Sequence, residues 1–265
     1  MVADIRSVRE AAQAYVILSR IQAPIQLFLL ESVSEEKIFA SIIALHELKR
    51  MEKVAINLQC NRRTFSTISF NIRSYHKNIC HLMSGKAVER AFVVCLQETW
   101  LEPFLKNDKR VYDGIQHDNS VGRGKGISTL YKSPFSFMLD VKRSQYQLTK
   151  LSSFDMDIIN VYRSNCADTN MFIADIQKII TDKKTVIIGD FNLCYLTETN
   201  HPLFKFLNRY GFHQLVKSLT HMKGRTIDLV FINAETGDEN FRVSQQSPFF
   251  TDHDLIEITS GSIHN

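Results

Sequence analysis

The chain has 265 residues, 44% of them hydrophobic and 23% charged, and a formal net charge of +4. That length suits one large domain or a domain with an appendage, and 18 Phe with 8 Tyr exclude a compositionally disordered protein. No apolar run approaches the roughly 18 residues of a membrane-spanning helix, and Asp4, Arg6, Arg9 and Glu10 put charge where a secretion signal would carry its apolar core.

Residues 1–60 carry seven basic and seven acidic side chains, so the whole positive excess lies in residues 61–265. The excess permits a nucleic-acid partner without requiring one, since no basic cluster stands out. The five cysteines (Cys60, Cys80, Cys95, Cys166 and Cys194) are odd in number. None pairs at the spacing of a zinc knuckle or redox motif, so reduced thiols in an intracellular compartment are expected.

Before residue 60 the best periodic segment is helical, with Ile38, Ile42, Leu45 and Leu48 at three- and four-residue steps and Ser32 and Glu35 in capping-box order ahead of them. After residue 62 the texture changes to short strands, expected over Thr64–Ile72, Ala91–Gln97, Gly126–Tyr131, Asp157–Tyr162, Thr185–Gly189, Thr226–Ile232 and Asp254–Thr259. Helices are expected near Met171–Thr181 and Pro202–Tyr210. The pattern suggests sheets flanked by helices, with a domain boundary that separates residues 1–60 from 61–265.

Polar residues recur at the ends of the apolar strands, where a rigid scaffold can hold a side chain against a ligand. Thr67–Phe70 runs into Asn71, Phe92–Leu96 into Gln97 and Glu98, Ile158–Val161 into Tyr162, and Val186–Gly189 into Asp190 and Asn192. Thr251, Asp252 and His253 precede the last strand. Singly each has a plain explanation: Asp190 as a turn cap, Glu98 as a solvated edge residue. Asp228 is harder to dismiss, because it sits inside Ile227–Phe231 and a buried carboxylate needs a specific partner. A histidine is one candidate.

In this order the motifs Ser69–Ser74, Leu96–Leu101, Asn160–Arg163, Gly189–Asn192, Gly224–Phe231 and Thr251–His253 resemble the endonuclease/exonuclease/phosphatase superfamily. The likeness spans about residues 64–259 and is nearest to the endonuclease of LINE-type retrotransposons, itself similar to apurinic endonucleases. The resemblance implies a four-layer α/β sandwich, two packed β-sheets flanked by helices, with a short, mainly helical N-terminal appendage. It implies a Mg²⁺-dependent endonuclease, with Mn²⁺ as an alternative cation, that nicks DNA to leave 3′-hydroxyl and 5′-phosphate ends. By the same resemblance Glu98, Asn71 and Asp252 are the metal ligands, directly or through water. Asp190 orients or deprotonates the attacking water, Asn192 donates to the phosphate or the water, and Tyr162 contacts the scissile phosphate or assists the leaving group. His253, held by Asp228, either donates to a phosphoryl oxygen or is itself the general base, and one or two metals act.

Two positions depart from the pattern. Arg73 stands where many apurinic endonucleases carry a carboxylate, which speaks against abasic-site repair, and Thr251 replaces a commoner serine. Arg123 and Lys125, in the glycine-rich Gly122–Ile127, either face a nucleic-acid backbone or occupy a solvated turn. A phosphatase of the same superfamily and a catalytically silent, DNA-binding transposon remnant are the other readings. Ala14–Arg20 looks like the last motif of Helitron-type superfamily-one helicases, so residues 1–60 are expected to be a C-terminal helicase remnant and the chain to be part of a larger, nuclear transposon protein. There is no Gly-x-x-x-x-Gly-Lys-Ser/Thr loop, so ATP hydrolysis by this polypeptide alone is not expected.

Overall fold

The computed structural model describes residues 65–102, 114–233 and 241–260, together with two short strands, β1 (Val2–Ala3) and β2 (Phe28–Leu29), that pair in parallel. The chain divides into two compact units, Met1–Gln59 and Cys60–Asn265. The helix expected over Ile38–Leu48 and the helicase-like Ala14–Arg20 lie outside the described residues.

The second unit is built on two six-stranded sheets. One has the order β13 (Phe241–Gln246), β14 (Leu255–Ser260), β3 (Ser66–Asn71), β4 (Val93–Gln97), β6 (Ile127–Tyr131) and β5 (Ile115–Asn119). The other has the order β11 (His213–Gln214), β12 (Asp228–Ile232), β10 (Lys184–Asp190), β9 (Met156–Arg163), β8 (Tyr146–Ser152) and β7 (Ser136–Lys142). Each sheet has one parallel pair at its centre, β3 with β4 and β9 with β10. These pairs are joined through helices: α1 (Tyr75–Met83) and α2 (Lys86–Arg90) in the first sheet, α3 (Thr169–Ile179) in the second. Helix α4 is Pro202–Arg209.

The apolar runs explain the layering. A strand buried on both faces reads as continuous rather than alternating hydrophobicity. Val93 and Cys95 of β4, Ile158 of β9, Val186 and Ile188 of β10 and Ile256 and Ile258 of β14 fill one core shared by the two sheets. Their neighbours point the other way: Val94 and Leu96 pack against Tyr75, Ile79 and Leu82 of α1, and Ile159, Val161 and Ile187 pack with Phe172, Ile176, Phe204 and Leu207 of α3 and α4. The result is helices, sheet, sheet, helices. Helix α3 starts two residues earlier than its periodicity suggests because the Asp168 side chain caps it, accepting from Met171 N at 2.8 Å.

The elements that the sequence pattern omits have no apolar run to announce them. Strands β7 and β13 are sheet edges, β13 alternating between half-buried and exposed and β7 mostly exposed. Strand β8 is buried throughout although Gln147, Thr149 and Lys150 lie on it. Helix α1 is one-sided over only nine residues. All four described cysteines are free thiols, Cys95 and Cys194 buried and Cys80 and Cys166 exposed. No helix among the described residues is long and apolar enough to cross a membrane.

Polar contacts pin the two sheets to each other. Gln97 Nε2 of β4 donates to Asn160 Oδ1 of β9 at 2.8 Å, and Asn160 Nδ2 returns to Thr129 Oγ1 of β6 at 2.9 Å. On the helix side of the second sheet, Lys150 is paired with Asp157 at 2.7 Å, with side chains 7% and 1% exposed. Asp157 also accepts from Ser152 Oγ and Thr181 Oγ1. Burial pushes the Asp157 carboxyl up, but the bonds from Lys150, Ser152 and Thr181 outweigh it and hold the group below its ordinary 3.8. Its contribution to stability is therefore fully present above about pH 3.8 and lost as the pH falls through the lower folded value. Asp157→Ala strands the Lys150 ammonium, so urea unfolding should show a loss of about 3–5 kcal/mol at neutral pH, and the loss should shrink as the medium is acidified.

Candidate active site

The two sheets place six strand ends and loops in one region. Strand β10 lies against β3 and β4 across the inter-sheet core. In the second sheet the register sets Tyr162 of β9, Asp190 of β10 and Asp228 of β12 side by side, Asp190 opposite each of the other two. In the first sheet Asn71 and Gln97 are register partners at the ends of β3 and β4. The two rows meet: Asn71 Nδ2 donates to Asp190 Oδ2 at 2.8 Å, a bond across the sandwich between residues 119 apart in sequence.

Backbone strain gathers at the same place. Arg73, Ser74, Glu98, Trp100 and Asn192 are the positive-φ non-glycine residues among those described, and all follow β3, β4 or β10 within a few residues. Such conformations are uncommon for L-residues and persist where the surroundings dictate them, often at functional sites. Gly189 is fixed for a different reason. Its φ is 147°, and a Cβ there would come within 1.9 Å of Val161 O, so only glycine lets β10 run this close to β9 just before Asp190.

Asp190 is fully buried. Besides Asn71, it accepts from the Asn192 amide at 2.9 Å and from Asn192 Nδ2 at 3.2 Å. Asn192 Nδ2 also reaches Arg163 O at 2.9 Å. Burial raises the Asp190 carboxyl, Asp228 and Glu98 raise it further, and His253 opposes them, leaving it near 7. Asp228 receives His253 Nδ1 at 3.0 and 3.1 Å, and its own amide and that of Ile227 donate to Thr220 Oγ1. Burial works against the His253 imidazolium, but Asp228, with Asp190 and Asp252 behind it, raises the ring to about 9. At neutral pH both ring nitrogens then carry protons: Nδ1 is committed to Asp228 and Nε2 is a donor. The Tyr162 hydroxyl is pushed above its ordinary range by burial, then by Glu98 and Asp190, so it too is a donor, here to Gly124 O at 3.3 Å.

The expected metal ligands stand in different relations to this cluster. Glu98 is half-buried on its strained residue after β4 and close enough to raise both Asp190 and Tyr162. Asn71 spends its amide on Asp190, while its Oδ1 accepts from Arg73 N at 3.3 Å. Asp252 is engaged by Arg73 Nη1 at 2.9 Å and His221 Nε2 at 3.4 Å through Oδ2, and its Oδ1 is buried without a hydrogen-bond partner. Among the described residues two groups bring all their ligand atoms within 4.8 Å of one another, Asp190 with Asp228 and His253, and His221 with Asp252 and His253. Glu98 joins neither. Lys125 does not reach outward: its ammonium donates to Ser144 O, whereas Arg123 is exposed.

Sequence reasoning passed over His221. Its ring lies edge-on to His253 with centroids 4.6 Å apart. Its Nδ1 accepts from Lys223 N at 3.0 Å, which leaves the proton on Nε2, facing Asp252. Burial and the nearby His253 lower this histidine, although Asp252 and Asp228 pull the other way. The contact joins the loop before Gly224 to the loop before β14, and no local pattern in Thr220-His221-Met222 announces it. Arg73, which departs from the pattern of apurinic endonucleases, is the counter-charge of Asp252.

The Endonuclease/Exonuclease/phosphatase family matches residues 68–253, and the chain belongs to that family. Solved structures with the same fold include the endonuclease domain of TRAS1, a telomere-specific non-LTR retrotransposon, at 12% identity, covering 76% of this chain and 100% of that one with a TM-score of 0.59. An AP endonuclease from Archaeoglobus fulgidus, at 12% identity, covers 74% and 99% with a TM-score of 0.60. The 3′ phosphatase NExo from Neisseria, bound to a product DNA hairpin, covers 74% and 99% at 15% identity with a TM-score of 0.56. No curated protein matches the chain significantly.

The Asp228–His253 pair sets a measurable titration. The stability that comes from charging His253 is fully present below 6.5 and lost as the pH rises through about 9. In Asp228→Asn the burial penalty is left without its main offset, so an NMR titration of His253 should move down from about 9. An unmoved titration would show that Asp228 does not govern the imidazole.

Proposed function

We propose that the chain is a divalent-cation-dependent endonuclease that hydrolyses DNA phosphodiester bonds, Mg²⁺ by preference, leaving 3′-hydroxyl and 5′-phosphate ends. The observation that carries this reading is a fully buried Asp190, held from the opposite sheet by Asn71, beside an imidazole held by Asp228. Hydrolysis of a phosphodiester needs a water aligned and deprotonated on one side and charge stabilised on the other. The two groups divide these tasks. Asp190, raised by burial and by Asp228 above the ordinary carboxylate range, is suited to accept the water proton. His253, protonated below about 9, is a poor base and a good donor to a phosphoryl oxygen. Asn192 orients the water or the phosphate, and the Tyr162 hydroxyl donates to the phosphate or the departing oxygen.

The residues fit a hard cation. Asp190 and Asp228 gather around His253, Asp252 joins His253 and His221, Glu98 is near enough to raise Asp190, and the buried Asp252 Oδ1 lacks a partner. Oxygen donors of this kind suit Mg²⁺ or Mn²⁺. Glu98 and Asp252 would hold it, with Asn71 through Oδ1, which keeps a second lone pair beyond its bond from Arg73 N. When bound, the cation supplies Lewis-acid stabilisation of phosphoryl charge.

DNA is favoured as substrate by the positive excess of residues 61–265 and by the likeness to the TRAS1 endonuclease domain and to a structure bound to a DNA hairpin. Residues 1–60 are read as the C-terminal remnant of a Helitron-type helicase, which would attach the nuclease domain of residues 61–265 to a transposon protein working in the nucleus.

Purified protein should convert supercoiled plasmid to relaxed circle with Mg²⁺ and not with chelator, and Asp190→Ala and His253→Ala should each slow this about 10²–10⁴-fold. Inorganic phosphate released from a phosphoinositide, with plasmid intact, would instead point to a phosphatase. DNA binding with neither activity would point to a silent remnant.

A further inference from the structure

We propose that a groove between the α1–α2 helices and the β13–β14 loop, the loop that also carries Asp252, holds single-stranded nucleic acid. The proposal rests on the nuclease reading above and adds a binding surface to it. The groove encloses about 610 Å³ and is lined by His81, Lys86 and Arg90 on the helical side and by Gln246, Phe249 and Phe250 on the loop side.

The loop side presents Phe249 to the groove. It is 89% exposed, more than any other large hydrophobic side chain among the described residues. Yet it is held in place: its ring meets Phe250 edge-on at 5.3 Å and His81 edge-on at 5.7 Å. Phe250 in turn sits 5.3 Å from His81 and edge-on to Phe70 at 5.7 Å, which ties the loop to the apolar layer under α1. A fixed aromatic ring presented to water is a stacking platform without its partner, and a nucleobase is the partner that also suits the cations.

Charge completes the argument. Lys86 and Arg90 are exposed on α2 and face the same groove. The one acid in its lining, Glu257, accepts from Ser66 Oγ at 2.8 Å and Ser244 Oγ at 3.4 Å. A phosphate backbone can follow the two cations while its bases stack on Phe249, the pairing that sequence-tolerant single-strand sites use. An apolar peptide would leave the cations unmatched. The loop side of the groove leads toward the site. Phe249 is three residues before Asp252, a span of at most about 11 Å, and Asp252 is bonded to Arg73 and His221.

The test is fluorescence anisotropy of a labelled dT12 oligonucleotide with the full chain in chelator, where no cleavage occurs. Phe249→Ala should weaken binding about tenfold. The double variant Lys86→Ala/Arg90→Ala should lower the slope of log affinity against log salt by about 1.4, the value for two phosphate contacts to a single strand. Phe249→Trp, which keeps a stacking ring, should bind like wild type and lose more tryptophan emission on dT12 addition than the wild type loses from Trp100, so a folding defect in Phe249→Ala cannot imitate the result. Wild-type protein that ignores dT12, or variants that bind it unchanged, would overturn the groove and leave a protein partner as its occupant. The plasmid assay reports separately: dT12 binding that depends on Phe249 in a chain that nicks nothing keeps the groove and removes the nuclease.

Discussion

The site depends on burying a carboxylate between two sheets. Asp190 has no solvent contact, and an uncompensated ion there would cost several kcal/mol. Compensation comes from both sheets, the Asn192 amide and side chain at the end of its own strand and Asn71 from the strand opposite. Because the Asn71 bond crosses the sandwich, the packing of the sheets and the position of the carboxylate cannot be set independently. The Gln97–Asn160 contact does the same work deeper in the interface, where a polar pair among Val93, Cys95, Ile158 and Ile188 allows one relative placement.

Charge in the site is unbalanced in a directed way. Each strongly shifted group has a neighbour that accounts for it after burial: Asp228 raises both Asp190 and His253, Glu98 raises Asp190 and Tyr162, and His253 lowers His221. Groups of like type are thereby pushed apart, one histidine toward its charged form and one toward its neutral form. Separation of this kind is what lets acid and base functions coexist within a few ångströms. Arg73 enters the same balance as the partner of Asp252.

The buried strands were legible because burial on both faces leaves no choice but continuous apolar runs, as in Val186-Ile187-Ile188 and Phe92–Leu96. The edge strands β7 and β13 were not, because a strand that touches the core on one side at most needs no such run. Strand β8 stayed hidden for the opposite reason: it is fully buried, but its Lys150 and Gln147 break the apolar run and are satisfied by Asp157, Arg143 O and the Gly126 amide, contacts made only once the strands pair. Asp228 could be singled out by its apolar neighbours alone. His221 could not, because its meaning lies in contacts with Asp252 and His253, about thirty residues away.

By itself, then, the sequence determined the composition of the site and the scaffold beneath it: which carboxylates, amides and imidazole are available, and that they stand at the ends of buried strands. Residue type and strand burial are local properties, written in runs of a few residues. Tertiary structure decided who holds whom. Asn71 binds Asp190 rather than standing free, Asp252 faces Arg73 and His221, and Phe249 is left as an exposed ring over a basic groove. Those outcomes follow from the register and packing of two sheets whose strands come from distant parts of the chain, and hydrogen bonds and charge shifts between such groups exist only once the sheets have met.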